Sequence, residues 1–423
     1  MVWRKLKVNL QYGNGTITIN VPGNTDVITP SFLPGLDNVD SHAHSILSKT
    51  SEVTHMQQLL NPHSRVAIVV NDITRPAPSE KIFWWLYRYM KNIADHNITI
   101  IIATGSHRVN TRDELIKMLG DEIVERFTII NHDAFDSKTL TYTGHTASNE
   151  PVYLNSDYCK ADIRIVTGFI EPHFFAGYSG GPKAVMPGIA GIDSIMCFHN
   201  AARIDHPESN WGVLDNNPVQ DMAVETALMA KPHLSVNVTL NSRKEITGIF
   251  AGDVISSHRH GAEFVSGHAM QPCRGNYDLV ITTNSGYPLD QSLYQSVKGM
   301  SAAAGIVRKG GTILCAAECS DGIPQHGEFG KMLMEGSSPG ELLSMIRQDG
   351  FRRYDQWQVQ ALCKILEKAS VHLYSTLPAK TVQKVHLLPC DDVQTCIDTI
   401  LTEHDDCRVA VLPEGPMVIP YAE

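Results

Sequence analysis

Short aliphatic runs separated by amphipathic stretches set the pattern of the chain. Arg65–Val70, Ile98–Ala103, Phe127–Asn131 and Ile163–Val166 are almost unbroken in apolar residues. Runs of this length without polar alternation predict strands buried on both faces, as in a parallel sheet. Between the earlier ones, Ser79–Ala94 and Thr111–Leu119 carry apolar residues at helical spacing, which predicts crossover helices. Helical stretches are expected again near Gly191–Ala202 and Val219–Ala230, followed by a strand at Leu234–Leu240. A second series begins near Leu279–Thr283, with strands at Gly311–Cys315, His372–Tyr374 and Val409–Leu412. At the amino end Lys5–Leu10 and Thr16–Val21 flank Tyr12-Gly-Asn-Gly15, a turn that suits a hairpin. The expected fold class is therefore α/β, with two α/β domains built on largely parallel sheets. Pro272 and Gly275 place the boundary within Met270–Asn276, giving domains at 1–270 and 275–423.

A length of 423 residues supports two domains and a large core. The net charge of −10 gives no electrostatic case for nucleic acid or for an anionic membrane surface. No run of about eighteen apolar residues occurs, and the first residues lead into a strand pattern rather than a signal core. These features predict a cytoplasmic protein without nucleic-acid or membrane partners. The nine cysteines form no Cys-x-x-Cys pair and read as reduced core thiols.

The candidate chemistry concentrates after strand ends. Gly168-Phe-Ile-Glu-Pro-His173-Phe-Phe-Ala-Gly-Tyr-Ser179-Gly180-Gly-Pro-Lys183 follows the strand ending at Val166. Its glycine-rich backbone and its lysine suit an anion or cofactor site. It is not a P-loop, since Pro182 precedes the lysine and Ala184 follows it. Asp72 and Arg75 follow Val70, His107 follows Ala103, and Tyr287–Lys298 follow Thr283. Ligands of open α/β sheets bind outside the carboxyl ends of strands, so one site in an interdomain cleft is expected. His107 and His173 could act as base and acid on opposite faces of a carbon, as inversion of a stereocentre requires. Arg75 and Lys298 could clamp a carboxylate, the alternative being a structural ion pair. Lys183 alone would also suit phosphate or a Schiff base. His199, in Met196-Cys-Phe-His-Asn200, could be a packed or capping residue, and Cys197 is a softer competing ligand. His42-Ala-His44 and His258-Arg-His260 have short metal-like spacing but no supporting pattern, and surface roles are expected for them.

The glycine-rich run resembles the signature of the lactate racemase family, whose members carry a nickel-pincer nucleotide. Further blocks look like family blocks in the family's order: Asp72-Ile-Thr-Arg75-Pro76, Ala103-Thr-Gly-Ser-His107-Arg108, His199-Asn200, Gly286-Tyr-Pro-Leu-Asp-Gln291, Tyr294-Gln295-Ser-Val-Lys298-Gly-Met and Asp355-Gln-Trp357. They extend from about residue 66 to about residue 360, and several in order are far more specific than one. The resemblance implies a racemase or epimerase that inverts C2 of a 2-hydroxy acid. Its cofactor would be pyridinium-3,5-bisthiocarboxylic acid mononucleotide nickel, tethered to Lys183, with His199 as the protein's nickel ligand. His107 and His173 would be the paired acid/base groups. One takes the 2-hydroxyl proton as the C2 hydride leaves, giving a planar 2-keto acid; return of hydride to the other face inverts C2. Asp72, Arg75, Tyr294, Gln295, Lys298 and Trp357 match positions around substrate and cofactor, with Arg75, Gln295 and Lys298 on the substrate. Ser179 and Gly180 are expected at the nucleotide's phosphate. Separate biosynthetic proteins would supply the cofactor.

Two departures bear on the substrate. Pro182 stands where lactate-specific members of the family place arginine, and Ser106 precedes His107 where they place a bulky apolar residue. A roomier, more polar pocket follows, and a larger hydroxy acid such as a sugar acid becomes as plausible as lactate. The rival readings are a 2-hydroxyacid dehydrogenase, NAD-dependent or NAD-independent, and a non-catalytic binding protein for hydroxy acids or the cofactor. No Gly-x-Gly-x-x-Gly fingerprint follows a strand, which disfavours a dinucleotide enzyme.

Overall fold

A computed structural model of the protein describes residues 5–403 and 406–422. Two compact units emerge: Met1–Ser31, Pro172–Phe174 and His268–Glu423 form one, Phe32–Glu171 and Phe175–Gly267 the other. This grouping departs from the contiguous division expected at 1–270 and 275–423. The cause is the amino-terminal hairpin of β1 (Lys5–Tyr12) and β2 (Gly15–Pro22), in register from Lys5↔Pro22 to Tyr12↔Gly15. An isolated hairpin is marginal in water. Here the inward positions Val8, Leu10, Ile19 and Val21 pack on Leu279, Ile281 and Leu314 of the carboxyl-terminal half, each contributing about 1.5–3 kcal/mol of transfer free energy. The following β3 (Asp26–Val27) pairs with Ala410 and Val411 in the same half.

The second unit is built on β4 (Val66–Asn71), α1 (Ser79–Tyr87), β5 (Ile98–Ala103), α2 (Arg112–Leu119), β6 (Thr128–Asn131), β7 (Ile163–Phe169), α3 (Ile192–Phe198), α4 (Pro218–Ala230), β8 (Leu234–Leu240), β9 (Ile246–Gly252) and α5 (Ser256–Ala269). Its sheet has the order β9-β8-β7-β4-β5-β6. The pairs from β8 to β6 are parallel, and β9 adds an antiparallel edge. The order reverses between β4 and β7, so the chain leaves their carboxyl ends in opposite directions and opens a crevice there. Two expected helices are shorter than their patterns. α1 stops at Tyr87, where Tyr89 and Met90 turn back to Leu86 and Tyr87 through three-residue bonds. The stretch 191–202 breaks at His199, because Asn200 caps a new helix, Ala201–Asp205, by accepting from the Arg203 amide at 2.9 Å.

The carboxyl-terminal part of the first unit comprises β10 (Met270–Cys273), β11 (Tyr277–Thr283), α6 (Leu293–Ile306), β12 (Val307–Ala316), α7 (Gln356–Lys368), β13 (Ala369–Tyr374), β14 (Leu388–Pro389), α8 (Val393–Glu403), β15 (Val409–Leu412) and β16 (Ile419–Ala422). The sheet order is β14-β13-β12-β11-β15-β3, all parallel. Part of the expected linker, Met270–Cys273, is a strand paired in parallel with β16. No described helix is long and apolar enough to cross a membrane. The nine cysteines are thiols; Cys315, Cys319, Cys363 and Cys390 are buried, and the others are half-buried.

Candidate active site

Asp72 leaves the end of β4 and is 4% exposed. Its Oδ2 lies 2.7 Å from His107 Nδ1, and its Oδ1 accepts from the Thr74 hydroxyl at 2.7 Å. Burial alone would raise this carboxyl, but the His107 ring, Arg75 and Thr74 together hold it below the usual carboxylate value. The ionised carboxylate therefore accepts a hydrogen bond from Nδ1–H, leaving Nε2 as the proton-accepting nitrogen of His107. His107 stays part-exposed, at 28% of its side chain. Its loop is fixed from the other side: Arg108 forks onto Glu114 at 2.6 and 2.8 Å, while Thr111 and Glu114 form a capping box on α2. Arg108 is itself over a third exposed, so this pair contributes at most about 1 kcal/mol and serves mainly as a geometric anchor.

Arg75 lies in the same loop as Asp72. Its Nε is 3.3 Å from Glu171 Oε1, and Glu171 is buried at 3% exposure beyond the end of β7. The Arg75 Nη1 atom is buried without a hydrogen-bond partner among the described residues. A guanidinium held along one edge, with a desolvated donor on the other, suits an incoming anion. Glu171 was not anticipated from the sequence, although it sits inside the glycine-rich run.

That run folds back on itself after β7. The Ser179 hydroxyl donates to Phe169 O at 2.7 Å and accepts from the Glu171 amide at 3.0 Å. The side chain expected at a phosphate thus already closes the turn. Gly180 and Gly181 have φ of +80° and +50°. A Cβ on Gly181 would stand 2.5 Å from His258 Cβ, so glycine is required by both conformation and contact. Asn237, fully buried on β8, accepts from the Gly181 amide at 2.9 Å. His258 on α5 lies 2.9 Å from Ser179 O through Nε2 and is 2% exposed. This corrects the surface role expected for His258, while His260 is exposed as expected. Burial pushes the His258 ring down to about 4, with Lys183 and Arg259 adding to the effect; the ring is neutral and donates from Nε2 to the carbonyl. His42 and His44 are exposed.

Lys183 lies on the 3-10 turn Gly181–Ala184, with Nζ 5.1 Å from the Phe198 ring centre. His199 caps the carboxyl end of α3 at 7% exposure and stacks edgewise on Phe198 at 4.5 Å. Burial, then the Lys183 ammonium and the His107 ring, keep the His199 imidazole well below its usual value. A neutral imidazole keeps a lone pair for a metal. The second unit thus brings Asp72, Arg75, His107, Lys183 and His199 into one electrostatic neighbourhood.

In the first unit, Tyr294, Gln295 and Lys298 lie on the first turns of α6, which Ser292 caps by accepting from the Gln295 amide at 3.3 Å. Trp357, 2% exposed on α7, donates from Nε1 to the Tyr294 hydroxyl at 2.7 Å. Gln295 and Lys298 are buried at 4% and 6% exposure. A lysine that deep requires an anionic or polar neighbour. His173, 5% exposed with its ring tilted on Phe174, groups with this unit.

Residues 12–212 match the Lactate racemase N-terminal domain family, and residues 274–420 match the Lactate racemase C-terminal domain family. A lactate racemase from Thermoanaerobacterium thermosaccharolyticum is 32% identical over 423 residues, which cover 97% of this chain and 98% of that protein. A lactate racemase from Lactiplantibacillus plantarum is 35% identical over 369 residues, covering 86% and 87%. The structure of the T. thermosaccharolyticum lactate racemase apoprotein superposes with a TM-score of 0.89 at 30% identity, over 98% of this chain and all of that one. A Thermotoga maritima protein shares the fold with a TM-score of 0.72 at 17% identity, over 93% of this chain. The chain belongs to the lactate racemase family, a family of isomerases.

Proposed function

We propose that this protein is a racemase or epimerase that inverts C2 of a 2-hydroxy acid, either lactate or a larger one such as a sugar acid. The observation that carries this reading is the pairing of His107 with the buried Asp72 carboxylate, beside Arg75 at the carboxyl edge of a parallel sheet, in a chain of this family. In the proposed reaction Arg75 takes the substrate carboxylate, with Glu171 fixing its Nε edge so that the fork faces one way. Lys298 adds a second positive charge and Gln295 a hydrogen bond. His107, held at Nδ1 by Asp72, takes the 2-hydroxyl proton of one enantiomer at Nε2, and His173 donates a proton to the 2-keto oxygen when hydride returns to the other face. The two histidines exchange these roles for the opposite enantiomer.

Inversion through a 2-keto acid also needs a hydride acceptor, which a bound nickel-pincer nucleotide would supply. The residues present fit such a group. His199 offers a neutral imidazole, Lys183 an amine beside it, and Arg75 Nη1 a buried donor. Among the described residues no three histidine, cysteine or carboxylate side chains converge as a metal site, so a metal here would draw further donors from a cofactor. Lys183 would hold the nucleotide covalently, His199 the nickel, and Tyr294 with Trp357 would line it. Ser179 and Gly180 would shape the turn beneath it through their backbone.

The test is to produce the protein with the pincer-biosynthetic proteins and nickel, beside a lactate racemase control and a Lys183→Ala variant. Intact mass should show an adduct on the wild type and control only, and chiral chromatography should show interconversion of D- and L-lactate or of an aldonate pair. An unmodified wild type beside a modified control would reject the cofactor. Turnover of lactate with none of any aldonate would reject the larger substrate, and net oxidation with NAD reduction would indicate a dehydrogenase.

A further inference from the structure

The first unit carries a cluster of nucleophilic groups that the proposed racemisation does not use. Cys390 follows β14, and its amide donates to Leu373 O on β13 at 3.0 Å. The register His372↔Leu388 and Leu373↔Pro389 places it beside that strand. Six residues on, Cys396 lies in the first turn of α8, its amide bonded to Asp392 O at 3.0 Å. The Cys396 thiol is 3.5 Å from His372 Nδ1 and also lies against the Cys390 thiol. Both sulfurs border one hydrophobic cluster, Cys390 at 8% exposure within it and Cys396 half-buried at its rim. Helix N-termini and imidazole rings stabilise a thiolate. The groups facing Cys396 are Cys390, His372 and Asp392; the contacts with Cys390 and His372 lower its thiol to about 5, against burial and the Asp392 charge, while Cys390 is raised.

We propose that Cys396 and Cys390 form a thiol–disulfide exchange site for low-molecular-weight disulfides, with Cys396 attacking and Cys390 resolving. The Cys396 thiolate bonds to one sulfur of a disulfide RSSR and expels RS−, which takes up a proton. Cys390 then gives up its proton to solvent and attacks the Cys396 sulfur of the mixed disulfide, expelling a second RS−. One RSSR is reduced to two RSH, and the protein dithiol is oxidised to a disulfide that staples β14 to α8. The order follows from exposure, since Cys396 reaches the rim and Cys390 does not.

The test treats reduced full-length protein with oxidised glutathione, quenches with acid and maps it by non-reducing Asp-N digestion, which separates the two cysteines at Asp391. The expected product is a Cys390–Cys396 cross-linked peptide. Cys390→Ser should stop at a glutathione mixed disulfide on Cys396, and Cys396→Ser should leave Cys390 unmodified. Absence of the cross-link, or equal modification of Cys390 in Cys396→Ser, overturns the proposal. A second readout needs only wild type. Between pH 8 and pH 6 iodoacetamide labelling of Cys396 should fall less than about threefold, whereas Cys407, whose thiol is pushed up to about 11 by burial, should fall about a hundredfold with its thiolate fraction. Equal falls would reject the activated thiol.

Discussion

Asp72→Asn keeps the shape of the side chain at the centre of the site and removes its charge. The carboxylate is 4% exposed and lies 2.7 Å from His107 Nδ1. A hydrogen bond to a charged group contributes about 1.5–3 kcal/mol, and about 1.4 kcal/mol is tenfold in rate. Loss of this orientation should lower kcat by about 10- to 150-fold. An asparagine that turned its NH2 toward Nδ1 would leave the ring proton on Nε2, where the mechanism needs a lone pair, and the loss would then be larger. KM should change little, because the proposed reaction assigns carboxylate binding to Arg75 and not to Asp72. The variant should also be less stable at neutral pH. A carboxyl held below its unfolded value stabilises the fold above the unfolded pKa, and that contribution disappears only as pH falls through the folded value. The assay is the steady-state rate in both directions by chiral chromatography, normalised to nickel content and to the Lys183 adduct by intact mass. A variant with wild-type loading and a kcat within about threefold of wild type would refute the role given to this pair.

His258 and Gly181 yield two predictions independent of turnover. His258 has a folded value of about 4 against an ordinary 6.5, so the unfolded chain binds its proton first and stability falls as pH drops through that interval. Around pH 5 the difference approaches one proton, or about 1.2 kcal/mol per pH unit. His258→Gln, whose amide can still donate to Ser179 O, should flatten the pH dependence of urea unfolding by that amount, and an unchanged slope would show that the ring is not buried neutral. Gly181→Ala places a Cβ 2.5 Å from His258 Cβ at a φ of +50°, and should cost at least about 2 kcal/mol of stability. Thermal unfolding within a degree of wild type would contradict it, and adding His258→Ala, which removes the Cγ and Cδ2 atoms that would lie 2.6 and 2.8 Å from the new Cβ, should recover part of the loss.

Much of this arrangement is legible in the sequence because the parallel strands are short, buried and nearly pure in aliphatic residues. Ile98–Ala103, Leu234–Leu240 and Val409–Leu412 have the boundaries that their patterns give. Residues just beyond such strand ends inherit a location, which is why Asp72, Arg75 and His107 could be nominated together. What stayed hidden is whatever depends on contacts between distant segments. The hairpin's alternation shows that one face is buried but not which partner covers it; only packing on Leu279 and Leu314 assigns it to the carboxyl-terminal half. His199 was expected within a helix, yet it stands at a helix break that Asn200 creates by capping the next turn.

Glu171 and His258 both brace the site, yet neither carries a signal in the sequence. Glu171 offers no periodicity signal, since it follows the strand in a loop, and a carboxylate there reads as solvated until its burial against Arg75 is seen. His258 is one of 19 histidines and belongs to a helix that begins 73 residues after Lys183. Its role exists only because Gly181 has no side chain and leaves room for the ring. The glycine is legible as a conformational requirement, and its partner is not. A chain can therefore disclose which groups meet a substrate while concealing the groups that hold them, because the former depend on residue type at strand ends and the latter on three-dimensional closure. The supporting set of Glu171, Asn237 and His258 consists of buried polar side chains, each with a stated hydrogen bond or ion pair. Desolvation makes such groups costly unless they are paired. Each pairing therefore fixes the turn that carries Lys183, or fixes Arg75, more firmly than the glycine-rich backbone would by itself.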